Sequence, residues 1–223
     1  MKETTKADSL RAQVYRTLRG ALQKGRVGSN RVATERDLAE QLGVSRTPVR
    51  EALVLLMHEG LVSATTRGFS APELSPADIA ELYQIRRLLE PAALVTTLDH
   101  LSTHDLRLLR QALHEQEAAD AAGDGEAFAE ANSSFRAVWL RAVPNKQLRT
   151  LIERNDDHVK WLRYVTLDDP KVRKTVIGNL RGLLSALQSG KPAAVSAAML
   201  VHVDGAEKAL TAILHRVSRN HAA

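Results

Sequence analysis

The residues best suited to chemistry in this sequence are arginines near its start. Arg46 and Arg50 lie in the run Ser45-Arg46-Thr47-Pro48-Val49-Arg50, and a spacing of four places both on one face of a helix. The opposite face is apolar and consists of Val49, Ala52, Leu53 and Leu56. An outward guanidinium group can bond a guanine edge or a phosphate, so Ser45, Arg46, Thr47 and Arg50 are candidate DNA-contacting residues. The alternative is an ordinary solvated helix start.

Two earlier helices and a turn would position these residues. Leu10, Val14, Leu18 and Leu22 recur every four residues within 9–24, which predicts an amphipathic helix that ends at Gly25 and Gly28. Thr34 and Asp37 can form a capping box at the start of a second helix, and Gly43 suits a left-handed turn after it. Two short helices around such a turn are typical of a helix-turn-helix, whose second helix enters the major groove.

A short hairpin is predicted after the third helix. The run from Leu61 to Ser70 contains two apolar stretches around Thr65-Thr66-Arg67-Gly68, which is typical of two strands joined by a glycine-containing turn. This hairpin would be a wing, with Arg67 at its tip.

The charge distribution supports contact with a polyanion. Residues 1–70 hold 12 Lys and Arg against 7 Asp and Glu, whereas residues 71–223 hold 19 of each, so the net charge of +5 lies in the first third. Such asymmetry indicates a nucleic-acid-binding part joined to one that binds no nucleic acid.

The remaining residues predict helices only. Ser75, Pro76 and Asp78 form a strong helix start. Gly- and Pro-containing breaks divide the chain from there onward into six segments, 76–98, 103–122, 125–142, 146–165, 171–189 and 192–218. We therefore expect a mainly α protein with a winged helix-turn-helix domain at 1–71 and an all-α bundle at 72–223.

Several classes of protein are excluded or disfavoured. The sequence has no cysteine, no apolar run long enough to cross a bilayer and no apolar signal core in Met1 to Asp8, which predicts a cytoplasmic location and no contact with a membrane. It also has no GxSxG, phosphate-binding glycine loop or HExxH motif, so we expect no enzyme.

The first third resembles the DNA-binding domain of GntR-type regulators. The resemblance lies in three runs, Thr34 to Ala39, Gly43 to Leu53 and Glu59 to Val62. It implies DNA contacts by the second helix, the recognition helix and the wing tip, here Arg36, Ser45, Arg46, Thr47, Arg50, Arg67 and Gly68. For Arg36 the alternative is a surface charge paired with Glu40.

The rest resembles the FadR-like branch of that family, whose effector domain is an antiparallel bundle of six or seven helices. The resemblance is carried by Leu82-Tyr83, Ile85 to Ala93, Ala131 to Arg136, Leu183 to Gly190 and Ala197 to His202. Many members of the branch hold a divalent metal through an Asp, a His four residues later and two further His. Here the corresponding residues are Asn132, Arg136, Leu180 and His202. An amide, a cation and an aliphatic group cannot replace those ligands, so we expect no metal and no other cofactor.

A buried arginine needs an anion, because an unpaired buried cation is too costly to persist. We therefore expect Arg136, beside Asn132 and His202, to bind the carboxylate or phosphate of a small anionic metabolite, with Arg86 assisting. The alternatives are an ion pair with an acid such as Glu90 for Arg136, a salt bridge for Arg86, and satisfied core polar groups for Asn132 and His202.

The expected protein is thus an effector-responsive homodimer that binds an inverted-repeat operator. Control of a repressor type is implied by the resemblance alone. The alternative function is an effector-independent DNA-binding protein whose bundle serves only dimerisation.

Overall fold

The computed structural model describes residues 10–23, 32–70 and 75–221, with 157–162, 164–165 and 214–221 as backbone alone. The chain divides into two compact units, Met1–Glu73 and Leu74–Ala223. The sequence prediction placed this boundary after residue 71. The predicted ends of the first helix at Ser9, Lys24, Gly25 and Gly28, and the predicted domain boundary at residues 71 and 72, lie outside the described residues.

The N-terminal unit is a winged helix-turn-helix, as predicted. Its elements are α1 (Leu10–Gln23), α2 (Glu35–Leu42), α3 (Arg46–His58), β1 (Ser63–Thr65) and β2 (Gly68–Ser70). Thr34 and Asp37 form the predicted capping box of α2, and Gly43 ends that helix with a φ of 63°. Apolar side chains of α1 and α3 form its buried core, chiefly Val14, Leu18, Leu22, Val49, Ala52, Leu53 and Leu56.

The wing is anchored to the chain before α2. Strands β1 and β2 pair antiparallel, with Ser63 opposite Ser70. Ala33 and Phe69 exchange two backbone hydrogen bonds of 2.9 Å each. Gly68 allows this approach, because its φ is +147° and a Cβ there would lie 2.5 Å from the Ala33 carbonyl oxygen.

The C-terminal unit is a bundle of six helices in the described range. They are α4 (Pro76–Val95), α5 (Thr103–Ala122), α6 (Gly125–Arg141), α7 (Lys146–Leu167), α8 (Pro170–Ser189) and α9 (Pro192–His221). Each predicted segment is present, and Ser75 and Asp78 form the expected capping box. Helix α4 packs against α9 and α7, while α5 packs against α6 and α8. None of the helices described here has an apolar stretch long enough to span a bilayer.

One predicted helix is too long. We expected the first bundle helix to reach residue 98, but α4 ends at Val95. The hydroxyl groups of Thr96 and Thr97 donate to the carbonyl oxygens of Ala93 and Leu94, at 2.6 and 2.7 Å. Threonine side chains that bond the backbone in this way compete with helical hydrogen bonds.

The close approach at Gly68 predicts a loss of stability in the Gly68→Ala variant. Strain at this backbone conformation should cost about 1–3 kcal/mol, and the amide protons of Ala33 and Phe69 should exchange faster with solvent in native-state hydrogen exchange. Gly20→Ala is the control, since a Cβ at Gly20 in α1 meets nothing within 4 Å. Equal protection of these two amides in both variants would contradict the prediction.

Candidate nucleic-acid interface and effector cavity

The start of α3 presents its polar residues to solvent. Ser45 is the N-cap residue, and its side chain makes no capping hydrogen bond. The side chains of Arg46 and Arg50 are 62% and 61% exposed, whereas Pro48 and Val49 between them are buried. Ser45 and Thr47 are exposed as well. The predicted division into an outward polar face and an inward apolar face is therefore present.

A carboxylate on α2 holds both of these arginines. Glu35 accepts hydrogen bonds from Arg50 Nε at 2.9 Å, from Arg50 Nη2 at 2.8 Å and from Arg46 Nη2 at 3.1 Å. The bond from Arg50, assisted by the bond from Arg46 and opposed by partial burial, lowers the pKa of Glu35 to about 2. Sequence reasoning gave Glu35 no role.

The other candidate DNA-contacting residues lie on the same unit. Arg36 is exposed on α2, and no salt bridge joins it to Glu40 in the described structure. Arg67 is exposed in the wing turn, where its backbone N–H donates to the Thr65 hydroxyl at 3.3 Å. Position 68 requires glycine because of its close approach to Ala33, whether or not Gly68 contacts DNA.

The four candidate effector residues line one cavity in the bundle. Arg86, Asn132, Arg136 and His202 share it with Leu180, the residue that replaces an expected metal ligand. Its other walls include the aromatic side chains of Tyr83, Phe135 and Trp139. The free volume is about 30 Å³, which is room for roughly two water molecules. The cavity is therefore closed to a metabolite unless side chains move.

Arg136 and Arg86 are both paired with protein carboxylates in this structure, which is the alternative given above for each of them. Glu90 accepts from Arg86 Nε at 2.7 Å and from the two terminal nitrogens of Arg136 at 2.9 and 3.0 Å. Asp156 lies 2.7 Å from Arg136 Nε and also pairs with Arg163. Asn132 donates to Gln116 at 3.3 Å, so it too has a protein partner.

Sequence reasoning missed Arg163 and Asp156. They lie seven residues apart on α7, which is two turns of a helix and therefore one face. That spacing was the only signal available, and it does not show whether the face is buried.

The described part of this cluster carries more positive than negative charge. Burial alone would raise the pKa of Glu90, but Arg136 and Arg86 hold it well below its usual range. Burial, with Arg86 nearby, lowers the pKa of His202 to about 3, so its imidazole is neutral. The described part of the cluster thus contains three guanidinium groups against two carboxylates. Burial lowers the pKa of Arg163 despite its pairing with Asp156.

Three buried nitrogens in the cluster lack hydrogen-bond partners in the described structure. They are Arg136 Nε, Arg163 Nε and His202 Nδ1. Arg136 Nε is close enough to Asp156 for an ion pair but not oriented for a hydrogen bond. A buried donor without an acceptor is costly, so an acceptor on a ligand would be stabilised beside Arg163 Nε.

The residues do not fit the metal that many FadR-like relatives hold. The buried guanidinium group of Arg136 stands where an imidazole ligand is needed, and its charge would repel a cation. No group of three or more possible ligands suited to a metal ion occurs among the described residues. That the chain binds no metal stays a prediction.

Comparisons with known proteins place both units in one family. Residues 10–68 match the gntR family of bacterial regulatory proteins, and residues 81–205 match the FCD domain. The chain is 27% identical to the Uxu operon transcriptional regulator of Escherichia coli K12, over 94% of this chain and 90% of that protein. It is 26% identical to the transcriptional repressor RspR of the same organism, over 86% and 84%.

A solved structure gives the same result. The structure of McbR/YncC from E. coli superposes with a TM-score of 0.81 and 27% identity, over 95% of this chain and all of that one. Members of this family bind DNA through the winged domain and small effectors through the FCD domain, and they act as dimers. The chain belongs to the GntR family, with a C-terminal FCD domain, and is a DNA-binding transcriptional regulator.

Proposed function

We propose that this regulator binds an inverted-repeat operator as a homodimer and that a small anionic metabolite, bound among the arginines of the bundle, changes its operator affinity. The observation that carries the DNA half is the pair of exposed arginines at the start of α3. The observation that carries the effector half is the excess of buried guanidinium groups with unpartnered N–H donors among the described residues.

The DNA-contacting residues would be those on α2, α3 and the wing. Arg46 and Arg50 have the exposure and spacing to reach base edges in the major groove. Arg36, Ser45, Thr47, Arg67 and Gly68 would contact the flanking phosphates or bases. Two copies of the unit in a dimer would occupy half-sites about 34 Å apart along the duplex.

The effector would compete with an internal carboxylate. Glu90 already gives Arg136 the bidentate contact that a metabolite carboxylate would give. An entering acid would take Arg136, with Arg86, Asn132 and His202 as further contacts, and displace Glu90. Because Glu90 lies on α4 and Asp156 on α7, this exchange would change how Arg136 joins these two helices.

The expected response is a shift in operator affinity with a coupling free energy of about 1–3 kcal/mol. Helix α4 is the first described element after the N-terminal unit in the chain, so a change in its packing has a short covalent route to the DNA-binding unit. Release of the operator by the effector would make the protein a repressor, the role that the name of its relative RspR states for that protein.

An effector-independent protein is the second candidate, and one observation favours it. The charges of Arg86 and Arg136 are already balanced by protein carboxylates. A thermal-shift screen with small organic acids separates the two functions, because a ligand at a hundred times its dissociation constant should stabilise the fold by about 2.7 kcal/mol. No shift with any acid would favour the second candidate.

The proposed DNA contacts predict that reversing the charge of both α3 arginines abolishes binding. The double variant Arg46→Glu, Arg50→Glu should lose at least ~100-fold in affinity for an operator selected from a library of random duplexes. Fluorescence anisotropy with the labelled duplex measures this loss.

The matched control carries the same change of charge in the other unit. Arg107 and Arg110 are exposed on α5. The double variant Arg107→Glu, Arg110→Glu should bind within about threefold of the unchanged protein, since these charges are not part of the proposed interface and exposed charges are screened by salt. Equal losses in the two double variants would contradict the proposed interface.

The proposed competition predicts opposite effects for two substitutions in the cavity. Glu90→Gln removes the internal anion, so the affinity for the acid found in the thermal screen should rise about tenfold or more. Arg136→Gln removes the main cation and should lose binding. Calorimetric titration of that acid measures both, with circular dichroism as a check of folding.

Glu117→Gln is the control, because Glu117 pairs with Arg181 at the surface of the bundle. It should leave the affinity for the acid unchanged. An Arg136→Gln variant that binds the acid as tightly as the unchanged protein would remove Arg136 from the site.

The neutral state of the half-buried His202 predicts a loss of stability in mild acid. Its folded-state pKa is about 3, so below about pH 6.5 the unfolded chain takes up a proton that the folded chain does not. Between pH 7.5 and 5 the free energy of unfolding of the bundle should fall by about 2 kcal/mol through this residue. Denaturant unfolding of His202→Gln should lack that part of the loss.

The control for this prediction is His104→Gln, since His104 is exposed on α5. That variant should retain the full pH dependence of the unchanged protein. A pH dependence that is the same in His202→Gln would show that His202 is not a neutral imidazole with a lowered pKa.

A further inference from the structure

Glu35 differs from the other acids of the N-terminal unit in holding both arginines of the recognition helix. It is the first residue of α2, and its side chain is only 16% exposed although those of Arg46 and Arg50 are above 60%. Its two oxygens accept three hydrogen bonds of 2.8–3.1 Å. The carboxylate thus lies beneath the two guanidinium groups, on the protein side.

The geometry leaves part of each guanidinium group for DNA. Arg50 bonds Glu35 through Nε and Nη2, so its Nη1 donors stay available. Arg46 bonds through Nη2 alone and keeps the donors on Nε and Nη1. A side-on pair of two parallel bonds fixes the plane of the Arg50 guanidinium group, whereas a free arginine would lose rotamer entropy on binding.

The same contact reduces the charge at the helix tip. Two guanidinium groups and one carboxylate carry a net charge of +1, half of what the arginines would carry alone. Affinity for DNA of any sequence depends on the number of phosphates neutralised, whereas base recognition depends on where the donors point.

We propose that Glu35 is the specificity-determining positioning residue of the DNA-binding unit: it fixes the direction of Arg46 and Arg50 and weakens their attraction to the phosphates of unrelated DNA. This inference rests on the proposed role of the two arginines in DNA contact. The competing explanation is that Glu35 only stabilises the first turn of α2 through the helix dipole. That role would change binding to all duplexes by the same factor.

The test compares an operator duplex, selected by the unchanged protein from a random library, with a scrambled duplex of the same composition. Binding of the full chain is measured by fluorescence anisotropy between about 50 and 300 mM KCl. In Glu35→Gln, affinity for the scrambled duplex should rise, and the slope of log affinity against log salt should steepen by about one. The ratio of operator to scrambled affinity should fall about tenfold or more.

Two further variants separate the causes. Glu40→Gln removes the same charge from an exposed residue of the same helix and should keep the ratio within about twofold, because a solvated surface charge contributes little to the direction of Arg46 or Arg50. Glu35→Asp keeps the charge but shortens the reach, so the salt slope should stay as in the unchanged protein while the ratio falls.

The results separate the role of Glu35 from the proposed operator binding on which it rests. An unchanged affinity ratio in a folded Glu35→Gln protein, or equal falls in Glu35→Gln and Glu40→Gln, would overturn the role of Glu35. Failure of the unchanged protein to prefer any duplex would instead overturn the proposed operator binding.

Discussion

A guanidinium group keeps its charge at every pH that a cell meets, so each arginine must be solvated or paired with an anion. This protein pairs two arginines with one carboxylate in each of its units. Glu35 holds Arg46 and Arg50 at the surface, and Glu90 holds Arg86 and Arg136 in the interior. The exposed pair keeps N–H donors for DNA while it stays bonded to Glu35. The buried pair can accept only an anion that replaces Glu90, because an unpaired buried charge is strongly destabilising.

This difference assigns separate tasks to the two units. Solvent around the α3 arginines keeps them available to a polyanion, and their contact with α2 gives them a direction. In the bundle, the ion pairs connect α4, α6 and α7 through Arg136. A small acid that rearranged those ion pairs would change the packing of three helices at once. The guanidinium group of Arg136, at a position where relatives bind metal, is the reason that the proposed ligand is an anion.

Local signals in the sequence predicted most of the fold. The caps at Thr34 and Ser75, the glycine turn at Gly43 and the spacing of apolar residues are set by neighbours in the chain, and each was found where predicted. The predicted end of α4 was wrong. Hydroxyl groups that bond the backbone do not alter the spacing of apolar residues, so this spacing could not reveal where the helix stops. The convergence of the four cavity residues followed from the family resemblance. The roles of Glu35, Asp156 and Arg163 were not foreseen, since their contacts join different helices and depend on packing.

We propose that Arg46 and Arg50, and not the buried arginines, are the groups that DNA engages. Nuclear magnetic resonance of the arginine Nε–H groups, followed while the operator duplex is added to the full chain, measures this most directly. We expect the signals of Arg46 and Arg50 to shift far more on binding than those of Arg86 and Arg136. Unmoved Arg46 and Arg50 signals on a duplex that the chain binds tightly would contradict the claim.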